Sequence, residues 1–215
     1  PICTGQYNDH SWLVMENLQL QRQGNQQHLA EQLAAMHRVT QTEYGWFCDN
    51  TIGSTPQINT YSDNWISFFR DRRLGYQLTL ARKNGCSRSL QQSGDSLLEC
   101  IADFFDGYHP QASLLHGDLW GGKYAFLQSG EPVIFDPALY YGDREADIAM
   151  TELFGGFSNT FHTAYENCWP LDSGYAIRRD LYNCYHILNH LNLFGGGYAL
   201  QAESMINRLL SERNP

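Results

Sequence analysis

HGDLWGGKYAFLQSGEPVIFD, residues 116–136, is the stretch whose reading decides the fold. Leu114 and Leu115 lead into His116-Gly117-Asp118, and the apolar runs Tyr124 to Leu127 and Val133 to Phe135 flank Gln128-Ser129-Gly130. That order predicts a strand end, a polar loop, a strand, a tight turn and a strand. Asp118 and Asp136 then sit at the mouths of short strands, close enough to share one site. In phosphoryl transfer one Asp accepts the proton of the attacking hydroxyl while another holds the magnesium that bridges the phosphates. H-x-D-x-x-x-x-N followed by a hairpin and an Asp is that arrangement written in sequence, except that Lys123 stands here where the Asn would be. An isolated H-x-D is a weak signal, because such tripeptides arise by chance. The bland alternative is that His116 and Asp118 cap a loop and Asp136 opens a turn before Pro137.

Composition bounds the answer further. The chain has 215 residues, 42% hydrophobic and 17% charged, enough for one folded unit with a substantial core. A net charge of -9 argues against a nucleic-acid partner, which requires a basic face. Anionic phosphates would have to be managed locally, by a metal. No apolar run approaches a membrane span, and the first residues do not read as a signal peptide, so the expectation is a soluble, cytoplasmic protein with no membrane partner. The six cysteines form no C-x-x-C pair, which fits free thiols in a reducing compartment. His186 and His190 share a helix face at zinc-ligand spacing, but Ile187 replaces the Glu of H-E-x-x-H and no third ligand is obvious.

Outward from the central stretch, the apolar spacing is mostly helical. Leu29, Leu33 and Met36 predict a helix over Gln26 to Arg38 with Ala30 and Ala34 alongside. Tyr44 to Asn59 reads as a loop, in which Asp49, Asn50, Gln57 and Asn59 either order the turns or line a pocket. Trp65 to Ala81 predicts a helix with Trp65, Phe68, Phe69 and Tyr76 in the core and Arg70, Arg72 and Arg73 as a solvated basic cluster. Leu97, Leu98, Ile101, Phe104 and Phe105 predict an amphipathic helix leading into the central loop. After Tyr140 to Glu145, a helix buries Ala146, Ile148, Ala149 and Leu153. In Tyr175 to Leu193, Ile177, Leu181, Tyr185 and Leu188 face the core, with His186, Asn189, His190 and Asn192 across the more polar faces. A last helix packs through Ala202, Met205, Ile206, Leu209 and Leu210. Ser11 to Glu16 is an apolar strand meeting polar residues.

HGDLWGG, DPALYYGDREADIAM, LFGGF and LYNCYHILNHLNLFGGGY, with DNTIGSTPQIN and RDRRLGYQLTLA upstream, closely resemble the fructosamine (ketosamine) kinase family. That family belongs to the fold group of the aminoglycoside and choline kinases, and the resemblance runs over nearly the whole chain in matching order. It implies an α+β, mostly α fold: a protein-kinase-like large C-terminal lobe over residues 19–215, with residues 1–18 a remnant of the small-lobe sheet and the hinge. It implies ATP and Mg2+ as cofactors, and phosphorylation of a sugar hydroxyl of a ketosamine, meaning a fructosamine or ribulosamine on a small amine or a glycated protein. Asp118 would be the base, His116 the residue ordering its loop, and Asp136 the magnesium ligand. Backbone groups of Glu16, Asn17 and Leu18 would meet the adenine, and Lys123 would lie at the nucleotide phosphates in place of an Asn. Trp120, Tyr141, Arg144 and His190 would lie on the substrate side, Trp120 either as an apolar wall or as core. Asp147 resembles the buried carboxylate that hydrogen-bonds the catalytic-loop backbone.

Kinase chemistry also needs a glycine-rich flap and a strand lysine. No G-x-G-x-x-G occurs, and the lysines are Lys83 and Lys123. The expectation is therefore a truncated chain, which leaves two alternatives standing: a kinase of the same fold with an aminoglycoside or choline acceptor, or a catalytically dead binding module. The sequence assigns no oligomeric state.

Overall fold

Helix starts are set by short polar side chains. Asn25, Asn64, Ser87 and Ser158 each accept a hydrogen bond from the amide three residues on, satisfying a donor that the first turn leaves unpaired. The helices they open are α1 (Gln26–His37), α2 (Trp65–Phe69), α4 (Arg88–Glu99) and α6 (Asn159–Cys168). The others are α3 (Gly75–Lys83), α5 (Glu145–Leu153), α7 (Tyr175–Phe194) and α8 (Tyr198–Glu212). The computed structural model describes residues 1–212. No helix among them is long and apolar enough to cross a membrane.

The strands are short and antiparallel. β1 (Cys3–Tyr7) pairs with β2 (His10–Val14) as an exposed hairpin. β3 (Leu20–Gln21), β8 (Tyr124–Leu127) and β9 (Pro132–Ile134) form a second sheet in the order β3-β8-β9. β4 (Thr40–Gln41), β7 (Ala112–Leu115) and β10 (Tyr140–Gly142) form a third, with β7 central. β5 (Asn50–Ile52) and β6 (Thr55–Gln57) make a small hairpin within what reads from sequence as a loop. The result is a mixed helix and strand fold in which helices supply most of the regular structure.

Two apolar cores lie on either side of the 116–123 loop. One gathers Trp65, Phe68, Phe69, Leu97, Phe104, Leu115, Leu181, Tyr185, Ile206 and their neighbours. The other gathers Leu29, Leu33, Leu119, Phe126, Ile148, Phe161 and Tyr165. The loop leaves the first core at Leu115 and is pinned in the second by Leu119, so apolar burial at both ends fixes its course.

Several expectations are corrected here. Between α2 and α3, Arg70–Leu74 forms a π-helical turn. The extra residue shifts the inward face, so Arg73, Leu74, Gln77 and Leu78 are buried while Tyr76 is only half-buried. Arg73 is thus not a solvated charge: it donates to Ile58 O (2.7 Å) and Asn59 Oδ1 (2.8 Å) and stacks on Phe68 and Tyr140. The helix expected over residues 97–105 breaks at Cys100 into the end of α4 and a 3-10 turn, Ile101–Phe105. α7 is buried nearly all round, so His186 and Asn189 lie inside. Burial pushes the His186 imidazole down to about 3. The polar residues of 49–59 bond one another, as in Asn59 N to Asp49 Oδ1 (2.8 Å) and Asn59 Nδ2 to Asn50 Oδ1 (3.0 Å), and Asn50 and Gln57 also reach the backbone of Leu139 and Ala138.

Candidate active site

Asp147, buried on α5, accepts from His116 N (2.7 Å) and Gly117 N (2.8 Å), one amide on each oxygen. Gly117 is in the left-handed region (φ +81), and a Cβ there would sit 2.0 Å from Ala138 O, so only glycine allows the loop to lie this close to the Asp136 segment. His116 ties the two segments together. Its Nδ1 accepts from Asp118 N (3.2 Å), which leaves Nε2–H to donate to Phe135 O (3.0 Å). Ala138 N donates to His116 O (2.8 Å) and Phe135 N to Lys123 O (3.1 Å). The strand arriving at Asp136 and the loop bearing Asp118 are therefore one hydrogen-bonded unit.

The acids meet on a cation. Lys123 Nζ lies 3.4 Å from Asp118 Oδ2 and pairs with Asp136 Oδ2. The side chains of Lys123 and Asp118 are 13% and 16% exposed, and that of Asp136 is 77% exposed. Burial raises the Asp118 carboxyl above its ordinary value; the Lys123 ammonium opposes the rise without cancelling it. Asp136 has φ +56 and precedes Pro137, a strained conformation for a residue with a side chain, of the kind that costs about 1–3 kcal/mol and persists only where its surroundings impose it. Two converging carboxylates are hard oxygen donors of the kind magnesium takes, usually one or two per ion with substrate phosphates completing the shell. The Lys123 ammonium marks the position as one that accepts a cation.

The remaining residues singled out from sequence are placed as follows. Trp120 is 40% exposed, its ring folded over Gly122, so it is not core. His190 lies on α7 close enough for its charge to bear on Asp118; its Nδ1–H donates to His186 O (2.8 Å), and its ring packs on Phe154, Phe194 and Tyr198. Tyr141 is bound through its backbone to Gly45 and stacks on Trp46. Glu16, Asn17 and Leu18 are exposed in the coil between β2 and β3, and β3 pairs with the strand that begins one residue after Lys123. Arg144 is a correction: it is buried, and its guanidinium donates to Trp169 O (3.1 Å), Pro170 O (2.5 Å) and Tyr165 Oη (3.3 Å), leaving it committed to the core.

The Arg144 contacts expose a relay that sequence reading missed. Arg144 donates to the Tyr165 hydroxyl, which donates to His37 Nδ1 (2.7 Å), and His37 Nε2 donates to Asp147 Oδ2 (3.2 Å). Burial alone would raise Asp147, but the His37 and Gly117 hydrogen bonds it accepts help to outweigh that and hold the carboxyl below its ordinary value. The available signal was position: His37 follows Ala30, Leu33 and Ala34 along the buried stripe of α1.

The fructosamine kinase family model matches residues 1–212. The chain belongs to the fructosamine kinase family. It is 47% identical to a "Probable ketoamine kinase" of Synechocystis sp. over 98% of the chain and 71% of that protein. It is 46% identical to "Protein-ribulosamine 3-kinase, chloroplastic" of Arabidopsis thaliana over 93% of the chain and 62% of that protein. A crystal structure titled "Putative fructosamine-3-kinase" from Haemophilus somnus 129PT superposes with a TM-score of 0.86 at 29% identity, covering 97% of the chain and 71% of its own. Within this fructosamine kinase chain, the 116–136 unit brings Asp118, Asp136 and Lys123 together and leaves Arg144 out.

Proposed function

We propose that this fructosamine kinase family member transfers the terminal phosphoryl group of ATP to a sugar hydroxyl of a ketosamine, using residues 1–18 as nucleotide-facing sheet and hinge and the remainder as a kinase-like lobe. The convergence of Asp118 and Asp136 on one cation carries this reading. The ketoamine and protein-ribulosamine kinases among its relatives support a sugar on an amine as the acceptor.

Asp118 accepts the proton of the attacking hydroxyl, so the sugar oxygen bonds the γ-phosphorus as its bond to the bridging oxygen breaks and ADP leaves, while the proton ends on the carboxylate. His116 keeps the loop in register through both ring nitrogens. Asp136 would hold magnesium, which when bound neutralises charge developing on the transferred phosphoryl group. Glu16, Asn17 and Leu18 would offer backbone groups to the adenine. Trp120, His190 and Tyr141, the last stacked on Trp46, would lie on the acceptor side. The test is phosphate transfer from ATP to a fructosamine and a ribulosamine, with an aminoglycoside and choline as rival acceptors. Transfer confined to either rival would overturn the choice of acceptor.

Because Asp118 must be ionised to act, its raised pKa places the acid limb of kcat/KM above the ordinary aspartate range of about 3.9. Activity is expected to fall as pH drops through that raised value. In Lys123→Asn the limb moves higher still, since the ammonium opposing the rise is gone; an unmoved limb would detach Lys123 from Asp118.

A second reading, a binding module without turnover, is favoured by Lys123 itself. A protonated lysine offers no lone pair to a metal and competes for the carboxylates that would bind one. Lys123→Asn replaces the competitor with an amide oxygen. Magnesium-dependent transfer is expected to rise about tenfold, ~1.4 kcal/mol, measured as initial rates across a magnesium series. Equal rates and equal magnesium dependence in the two proteins would reject interference by Lys123.

A further inference from the structure

The strained turn at Asp136 is held from two sides. On one side is His116, through Phe135 O and Ala138 N. On the other is the β5–β6 hairpin, which lies some eighty residues upstream in the chain. Asn50 and Gln57 are direct cross-strand partners in that hairpin. Asn50 Nδ2 donates to Leu139 O (2.8 Å), and Gln57 Nε2 donates to Ala138 O (3.1 Å) and to Asn50 Oδ1 (2.8 Å). The acceptor of Gln57 takes the Tyr185 hydroxyl (2.9 Å), and that of Asn50 takes Asn59 Nδ2 as well (3.0 Å). Arg73, fully buried behind them, holds Asn59 Oδ1 in turn. Both amides are therefore oriented uniquely, with each polar end satisfied, and a network of this kind specifies one arrangement.

A residue with a side chain at positive φ ahead of proline relaxes unless its flanks are fixed. Here the backbone is bonded at Phe135 before the turn and at Ala138 and Leu139 after it. We propose that Asn50 and Gln57 are positioning residues for Asp136: by holding the carbonyls of Ala138 and Leu139 they keep Asp136 in its left-handed turn, carboxylate facing Asp118 and Lys123. Neither amide needs to reach a ligand. The inference rests on the reading of Asp136 as the metal-bearing residue, and it assigns the 50–57 hairpin to the active-site machinery.

The test uses Mn2+ as the probe, titrated into the protein and followed by electron paramagnetic resonance, together with hydrogen exchange at the Ala138 amide. Asn50→Ala and Gln57→Leu are each expected to weaken Mn2+ binding about tenfold, the usual scale for residues that support a ligand from behind. Ala138 is expected to exchange faster while α1 amides keep their protection. In an Asp136→Ala background, adding Asn50→Ala changes Mn2+ affinity less than twofold, because its route to the metal is gone. Two results would overturn the inference: Asp136-dependent Mn2+ binding and Ala138 exchange both unchanged in the two variants, or an equal loss of affinity with and without Asp136. Should Gln57→Leu fail to fold, Asn50→Ala, at a half-buried position, decides alone. If wild-type Mn2+ binding does not depend on Asp136, the metal reading itself fails, and exchange at Ala138 still decides whether the hairpin holds the turn.

Discussion

Asp118→Asn is expected to lower phosphate transfer from ATP by about a hundred- to ten-thousand-fold, the contribution of a placed general base, with the melting temperature little changed. The amide is isosteric and keeps an oxygen toward Lys123, but it cannot take the acceptor's proton. The asymmetry between rate and stability follows from what Asp118 touches. Its carboxylate faces Lys123, whereas the loop backbone is carried by Asp147 and His116. If Asp118 were only a loop cap, its loss would appear mainly as about 1 kcal/mol of stability. A variant that keeps a third of the wild-type rate would return Asp118 to that role.

The second large effect is on stability. Asp147→Ala leaves the amides of His116 and Gly117 and the Nε2–H of His37 unpaired in the interior at once. Removing one member of a buried charged network costs about 3–5 kcal/mol, which for a chain of this size lowers the melting temperature on the order of 10 °C. The pH dependence carries a signature of its own. The folded-state pKa of Asp147 is depressed, so its contribution is fully present above the unfolded value of about 3.9 and is lost as pH falls through the lower folded value. In Asp147→Ala that acid-side loss is absent, and the stability profile is flatter at low pH. Chemical denaturation between pH 2 and 7 measures both. A change below 1 kcal/mol with an unaltered acid slope would show that the loop does not depend on this carboxylate.

Much of the frame was legible in the chain because it follows local rules. The strand-turn-strand around Gln128-Ser129-Gly130 reads from alternation and a glycine turn, and the structure places it as β8 and β9. α1 and the final helix read from apolar spacing. Arg73, His37 and Arg144 did not read that way, because each is a polar side chain whose burial is compensated by partners distant in sequence. Arg73 turns inward only because a π turn adds a residue, and it is stable there only because Ile58 and Asn59 accept its protons and Tyr140 lies beneath it. The 44–59 segment read as loop because Gly45, Gly53 and Pro56 punctuate it. Its conversion into a hairpin that grips Ala138 and Leu139 depends on residues some eighty positions away.

By itself the sequence determined the acids, their order and the lysine that departs from the expected pattern, since residue identity and short-range spacing are all that those features require. Only the tertiary structure decided that both carboxylates share one ammonium, that Asp136 is held in a strained turn and that Arg144 belongs to the core. Those outcomes depend on hydrogen bonds closed across long stretches of chain, and a donor's partner is set by where the packed cores bring it.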